Sequence, residues 1–451
     1  MRIRLWSILI IVCLIGAIVL TACNEGSAAR RAAEEQQARE AAQRAAEEQQ
    51  AREAAQRAAD EAVVAQTALT ADYTFSDVTN DGETRDGDAD MYIRAHAEGG
   101  DHLIYVYQDI YYGEGEQTDL SYRYIDVYMP TAKDRLDPNT PVFLYLHGGG
   151  WVSGSRRDEQ LSLMPYIAAQ GMVAISMEYA LWFGLNQAAG AVRGVYTKYA
   201  VDPVFKAAKA NDRPVSVNDM LGDISACLTF LRDTYLPSLG LTCTNVGIGG
   251  YSAGGHLSSL YAYKCAAQSP MPLAYLLDLV GPVKLLDEHY LHLLDLVTGR
   301  VLDENGEQDT AFDFIWPDLA QMGGALAGIV GADHSLDIFD DADYATAKEL
   351  ITALQPIDYL TSSSLPTIIC YARNHDEDAN AFEILFECEF DDFIPITVYE
   401  AISAKLDEVG IVHADILYDD LTHNTIGRSQ KSDKWMAAHV AAYSQLYCRY
   451  E

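Results

Sequence analysis

The stretch Val246 to His256, VGIGGYSAGGH, decides how the rest of the chain is read. Val246 to Gly250 reads as a short buried strand, and the run from His256 to Ala267 reads as a helix. Between them, Gly250-Tyr251-Ser252-Ala253-Gly254 fits the pattern G-x-S-x-G. A serine on so sharp a strand-to-helix turn has a strained backbone and an exposed hydroxyl. Glycines two before and two after it let strand and helix pack closely around it. The pentapeptide alone arises by chance in many chains, so its place between a strand and a helix is what gives it weight.

Earlier in the chain, His147-Gly148-Gly149-Gly150-Trp151 directly follows the β-rich run Val142 to His147. Glycines there let backbone N–H groups turn toward a developing oxyanion, where side chains would obstruct them. Further β-rich runs are Leu103 to Tyr111, Tyr122 to Met129, Val173 to Tyr179, Leu273 to Val280, Pro366 to Tyr371 and Ala414 to Tyr418. Asn218 to Thr234 carries Leu221, Ile224, Leu228 and Leu231 on one side and reads as an amphipathic helix; Ile396 to Val409 and Asp433 to Tyr447 read as later helices. Strands alternating with helices imply an α/β fold with a mostly parallel sheet covered on both faces. The acidic run Asp81 to Asp90 lacks the Gly and the distal Glu of an EF-hand loop and reads as solvated.

Of 451 residues, 49% are hydrophobic and 22% charged, enough to bury one large core or two ordinary ones. The 66 acidic against 31 basic side chains leave a net charge of −35, which excludes a phosphate-binding nucleic-acid partner. Eight cysteines are too few for a disulfide scaffold of this length.

Three segments follow from the N-terminus. Arg2 and Arg4 precede an apolar run from Leu5 to Leu20, which reads as the h-region of an export signal over residues 1–22. The run ends in Leu20-Thr21-Ala22-Cys23, which resembles a bacterial lipobox and implies a lipid on the Cys23 thiol. Residues 23–71 form a spacer, in which RAAEEQQAREAAQ occupies Arg31 to Gln43, recurs unchanged from Arg44 to Gln56 and begins again at Arg57. Its residues favour helix, and Glu35 with Arg39, Glu40 with Arg44, Glu48 with Arg52 and Glu53 with Arg57 are i,i+4 pairs in the favourable order. A thirteen-residue repeat gives no continuous apolar stripe, so a solvated single N-terminal helix is expected. Residues 72–451 then form the catalytic domain, exported and held at the cell envelope.

From about Leu103 to Tyr447 the chain resembles the α/β-hydrolase esterases, in the branch of hormone-sensitive-lipase-like carboxylesterases and feruloyl and acetyl-xylan esterases. Besides the two motifs, the likeness rests on the runs Tyr124 to Pro130, Gly281 to Leu285, Gln355 to Tyr359 and Leu365 to Ile369. The resemblance implies an α/β-hydrolase fold with insertions and a triad in the order serine, acid, histidine. Ser252 is then the nucleophile, and the N–H groups of Gly149, Gly150 and Ala253 form the oxyanion hole.

The acid departs from the family pattern, in which Asp-x-x-Val-Pro follows the strand within a few residues. Here Asp391-Asp392-Phe393-Ile394-Pro395 arrives only after Arg373 to Phe390, with Pro395 expected at the first helical position. Asp391 is the choice; Asp392, Asp376 and Asp378 are the alternatives. For the base, His423 lies in a loop after the last strand and before the final helix. His413 is expected to be structural, His256 to pack, and His147 to fix the glycine loop by hydrogen bonding.

Such a site needs no metal or organic cofactor. His289 and His292 have helical spacing but no further ligand cluster beside them. The expected substrate is a small-molecule or carbohydrate-borne ester; a peptidase or amidase on the same fold and an inactive binding module are the other readings. The connections Ala180 to Ser216, with Trp182, Phe183, Tyr196, Tyr199 and Phe205, and Asp287 to Leu350 are long enough to wall a pocket or to form a small cap core. Cys370 and Cys388 bracket the insertion before Asp391, either bridged or as free thiols.

Overall fold

The computed structural model describes residues 72–85, 87–115, 122–151, 154–181, 215–297, 300, 341–374, 391 and 393–451. The signal run, Cys23 and the repeats lie outside the described residues. So do Trp182, Phe183, Tyr196, Tyr199 and Phe205, the alternative acids Asp376, Asp378 and Asp392, and Cys388.

Among the described residues, ten strands form one sheet. In chain order they are β1 (Thr74–Asp77), β2 (Met91–His96), β3 (His102–Tyr111), β4 (Tyr124–Met129), β5 (Val142–Leu146), β6 (Val173–Met177), β7 (Val246–Tyr251), β8 (Leu273–Leu279), β9 (Thr367–Ala372) and β10 (His413–Tyr418). Their spatial order is β1-β2-β3-β4-β6-β5-β7-β8-β9-β10. β1 to β4 and the β4–β6 pair are antiparallel, while every pairing from β6 through β5 to β10 is parallel. The interchange of β5 and β6 brings β5 beside β7, so the glycine motif ending β5 and the serine turn ending β7 lie at the same edge. This is an α/β-hydrolase fold.

The helices are α1 (Leu163–Ala169), α2 (Val217–Phe230), α3 (Ala253–Leu260), α4 (Glu288–Val297), α5 (Asp341–Thr352), α6 (Ile396–Val409) and α7 (Gln430–Tyr447). Ser216 and Asp219 close a capping box at the start of α2, whose continuation Leu231–Tyr235 is a wider turn of helix. Pro395 stands at the N-cap of α6 and not in its first turn, and Gly410 ends that helix with φ 72°. β1, β2, α1 and α5 carry no pattern strong enough to be read from the sequence. α7 begins three residues before the expected Asp433, because Gln430, Lys431 and Ser432 give no apolar signal.

Buried parallel strands read as continuous apolar runs, and β5 (VFLYL), β6 (VAISM) and β7 (VGIGGY) are buried throughout. Their alternate residues enter different cores. Leu144, Leu146, Ile175 and Ile248 pack with Ile224, Leu228 and Leu257 of α2 and α3 on one face. Phe143, Tyr145 and Ala174, with Leu277 of β8, pack with Tyr166, Val398 and Val440 of α1, α6 and α7 on the other. Asp81 to Asp90, apart from the undescribed Asp86, is a mostly exposed connection in which Arg85 pairs with Asp81.

Candidate active site

Ser252 sits one residue past the end of β7 with φ 53° and ψ −117°. That conformation is costly for a side-chain-bearing residue, of order 1–3 kcal/mol, and it persists because the surroundings leave no alternative. The Ser252 N–H donates to Leu279 O at 2.8 Å, and its carbonyl accepts from His256 N at 2.9 Å, so it is tied to β8 and to α3 at once. A Cβ on Gly250 would strike the Gly254 carbonyl, and one on Gly254 would strike the carbonyls of Leu146 and His147. Both neighbours are backbone and cannot swing away, which is why glycine stands at these places.

His423 Nε2 lies 2.9 Å from Ser252 Oγ, and His423 Nδ1 lies 3.0 Å from Asp391 Oδ2. Asp391 is 1% exposed and His423 3%. The other Asp391 oxygen, Oδ1, accepts the amides of Phe393 at 3.2 Å and Ile394 at 2.7 Å. His423 N donates to Asp391 O at 2.8 Å, so the loops of Asp391 and His423 are joined by backbone as well as by side chains. The Phe393 ring stands edge-on to the imidazole, with centroids 5.0 Å apart and planes at 80°. Tyr251 donates its hydroxyl to the His423 carbonyl.

At the neighbouring edge, Gly149, Gly150 and Trp151 have φ of 117°, 60° and 62°, a left-handed run that turns the loop after β5. Ala253 is the first residue of α3, where N–H groups have no acceptor within their own helix. A Cβ on Gly148 would enter the ring of Tyr251, so the glycine loop and the Ser252 turn touch directly.

His256 and His413 are bonded elsewhere in the fold. His256 is fully buried; its Nε2 donates to Leu354 O at 2.9 Å and its Nδ1 accepts from Trp151 Nε1 at 3.3 Å. Burial pushes it down to about 4, so it is a neutral packing residue. His413 donates from Nδ1 to Ile411 O at 3.0 Å at the start of β10. His289 and His292 lie on α4, where His289 Nδ1 is 2.7 Å from Asp287 Oδ1. Among the described residues no group of three His, Cys, Asp or Glu side chains is arranged to hold a metal ion. Cys370 is a free, buried thiol within β9.

His147 is fully buried, with Nδ1 2.8 Å from Gly148 O and Nε2 3.0 Å from Glu178 Oε1. Behind it, Glu178 Oε2 accepts Arg156 Nη1 at 3.1 Å, and Arg156 Nε donates to Asp126 Oδ1 at 2.9 Å. Sequence reading misses Glu178, Arg156, Asp126 and Tyr251, since nothing local marks a charged residue as the partner of a distant one. A charged residue at the end of an otherwise apolar strand, as Glu178 is, was the available signal.

No protein-family model matches the sequence, and no curated protein does. Among solved structures, an inhibited form of esterase B from Lactobacillus rhamnosis is 16% identical at a TM-score of 0.47, over 76% of this chain and 88% of that one. A truncated carbohydrate esterase from gut microbiota is 12% identical at a TM-score of 0.47, over 75% and 96%. An arylesterase is 15% identical at a TM-score of 0.44, over 75% and 85%.

Proposed function

We propose that residues 72–451 form a serine carboxylesterase. The observation that carries this reading is the unbroken line from Ser252 Oγ through the His423 ring to Asp391, with spacings of 2.9 Å and 3.0 Å. Ser252 attacks the ester carbonyl while His423 Nε2 takes its proton. Asp391 holds Nδ1–H and stabilises the imidazolium that forms. Negative charge moves onto the carbonyl oxygen, where the N–H groups of Gly149, Gly150 and Ala253 receive it. The imidazolium protonates the leaving alcohol, and water, deprotonated by His423, then releases the acid from the acyl-enzyme.

The substrate of this reading is a short acyl, acetyl or feruloyl ester, free or borne on carbohydrate. Acidic side chains outnumber basic ones 66 to 31 in the chain, so a neutral substrate meets less repulsion than a polyanion. Cys23 carries the lipid that holds the enzyme at the cell envelope, and the repeats space it from the membrane.

The test is a screen of p-nitrophenyl acetate and longer esters, feruloyl esters, acetylated xylan and an aminoacyl amide. Ester turnover that falls about 10⁴-fold or more in Ser252→Ala is expected. Turnover of the amide alone, or a Ser252→Ala protein at wild-type rate, overturns the reading. Loss of incorporated fatty acid in Cys23→Ser tests the anchor.

A further inference from the structure

Both ring nitrogens of His147 face oxygens. Nδ1 is 2.8 Å from a carbonyl, which only accepts, and Nε2 is 3.0 Å from Glu178 Oε1. Glu178 Oε2 is in turn met by the Arg156 guanidinium at 3.1 Å and the Arg156 amide at 3.3 Å. Burial pushes this carboxyl up, but its His147 and Arg156 partners outweigh that and hold it below the ordinary range; the two Arg156 donors on Oε2 favour the anion whatever the state of the imidazole. His147 must therefore donate from both nitrogens, which makes it an imidazolium. Its ring lies flat on that of Tyr179, centroids 4.4 Å apart at 14°, an arrangement that favours a cation over a π face. The Tyr179 hydroxyl also donates to the His147 carbonyl at 2.8 Å.

The peptide between Gly148 and Gly149 is planar and trans, so its C=O and N–H point in opposite directions. With the Gly148 carbonyl held against the imidazolium, the Gly149 N–H is directed to the other side of the loop. A cation on the carbonyl also draws charge through the amide and strengthens the N–H as a donor. Glu178 pairs with the cation directly; Arg156 bonds the far oxygen of Glu178 and keeps it ionised, and is itself held by the fully buried Asp126, whose Oδ2 accepts Arg157 Nε at 2.9 Å. Gly154 completes the cradle: with φ 96°, a Cβ there would strike the Gly148 carbonyl and crowd His147 Nδ1.

We propose that Glu178 and Arg156 are positioning residues that maintain His147 as a buried imidazolium, and that this cation aims and polarises the Gly149 N–H toward the oxyanion of the reaction. The proposal rests on reading the site as a serine esterase. Other charged or ionisable groups near the ring are Asp158, which favours the cation, and Glu159, which is itself pushed up to about 8 by burial and by Asp158. Ionisation of Glu159 only favours the cation further.

Two measurements test it. In protein labelled with ¹⁵N-histidine, one histidine in contact with the Tyr179 ring is expected to show two slowly exchanging ring N–H protons at pH 8, where an ordinary histidine is neutral. A neutral ring spectrum for that histidine overturns the proposal without any variant. In Glu178→Gln, the amide can donate to Nε2, leaving His147 neutral with its Nδ1–H still on Gly148. Its kcat for p-nitrophenyl acetate is expected to fall about tenfold to a hundredfold with KM little changed, since only the transition state bears the oxyanion. A folded Glu178→Gln enzyme with wild-type kcat overturns the proposal and leaves the esterase reading intact. Wild-type protein that turns over no ester overturns both.

Discussion

Tyr251 donates its hydroxyl to the backbone carbonyl of His423, so the residue before Ser252 holds the loop that carries His423. The two rings lie 5.3 Å apart, and the same Tyr251 ring closes against Gly148. One buried side chain thus touches three parts of the site: the Ser252 turn, the His423 loop and the glycine loop.

Tyr251→Phe leaves the ring in place but strands the His423 carbonyl. A stability loss of about 1–2 kcal/mol is expected. The kcat should fall more than the fold weakens, about tenfold, because a small displacement of the base lengthens its contact with Ser252. Thermal melts and steady-state kinetics of the variant check both; an unchanged kcat removes Tyr251 from the alignment of the base.

Asp391→Asn separates charge from tautomer. The amides of Phe393 and Ile394 claim the oxygen at Oδ1, so the new NH₂ must face His423 Nδ1. That nitrogen then accepts, the ring proton moves to Nε2, and His423 can no longer take the Ser252 proton. A fall of about 10⁴ in kcat with little change in thermal stability is expected. Retention of most activity in Asp391→Asn would return the acid's role to one of Asp376, Asp378 or Asp392.

Gly254→Ala tests the close packing beneath the nucleophile. The added methyl meets the backbone carbonyls of Leu146 and His147, and α3 must withdraw from β5 to admit it. A loss of about 3 kcal/mol in urea unfolding is expected, with ester turnover falling alongside. A neutral result would show that the two elements separate more freely than their contact suggests.

Stability should fall as pH rises from 5 to 9. Burial raises Asp278 to about 7, with Tyr371 donating to its Oδ2 at 2.8 Å, and raises Glu159 to about 8. Both carboxyls bind a proton more tightly folded than unfolded. Their contribution is complete below the ordinary carboxyl range and is lost as pH passes through these values, by an amount of order 3 kcal/mol for each. Melting temperature measured across that range checks the slope, and Glu159→Gln should flatten its upper part. A wild-type melting temperature that holds or rises toward pH 9 contradicts the assignment.

Much of the architecture was legible because apolar runs of strand length alternate with helical periodicity. α6 has the limits its pattern implies and β7 runs one residue past Gly250, and the serine pentapeptide and the glycine tract mark turns by composition alone. β1 and β2 were not legible: β1 is a short edge strand with no buried residue, and β2, paired on both sides, interrupts its apolar residues with Arg94 and His96.

By itself, the sequence determined where backbone must turn sharply and which segments must be buried, because glycine tracts and apolar runs act locally. It also placed a histidine and several acids late in the chain. Only the tertiary structure decided which of them meet: Ser252 and His423 are 171 residues apart, and His423 and Asp391 are 32 apart. The partnership of His147 with Glu178, and of Glu178 with Arg156, likewise exists only once β5 and β6 are adjacent. A carboxylate's identity says nothing about its partner, since pairing is a matter of distance and desolvation, and both are set by the fold.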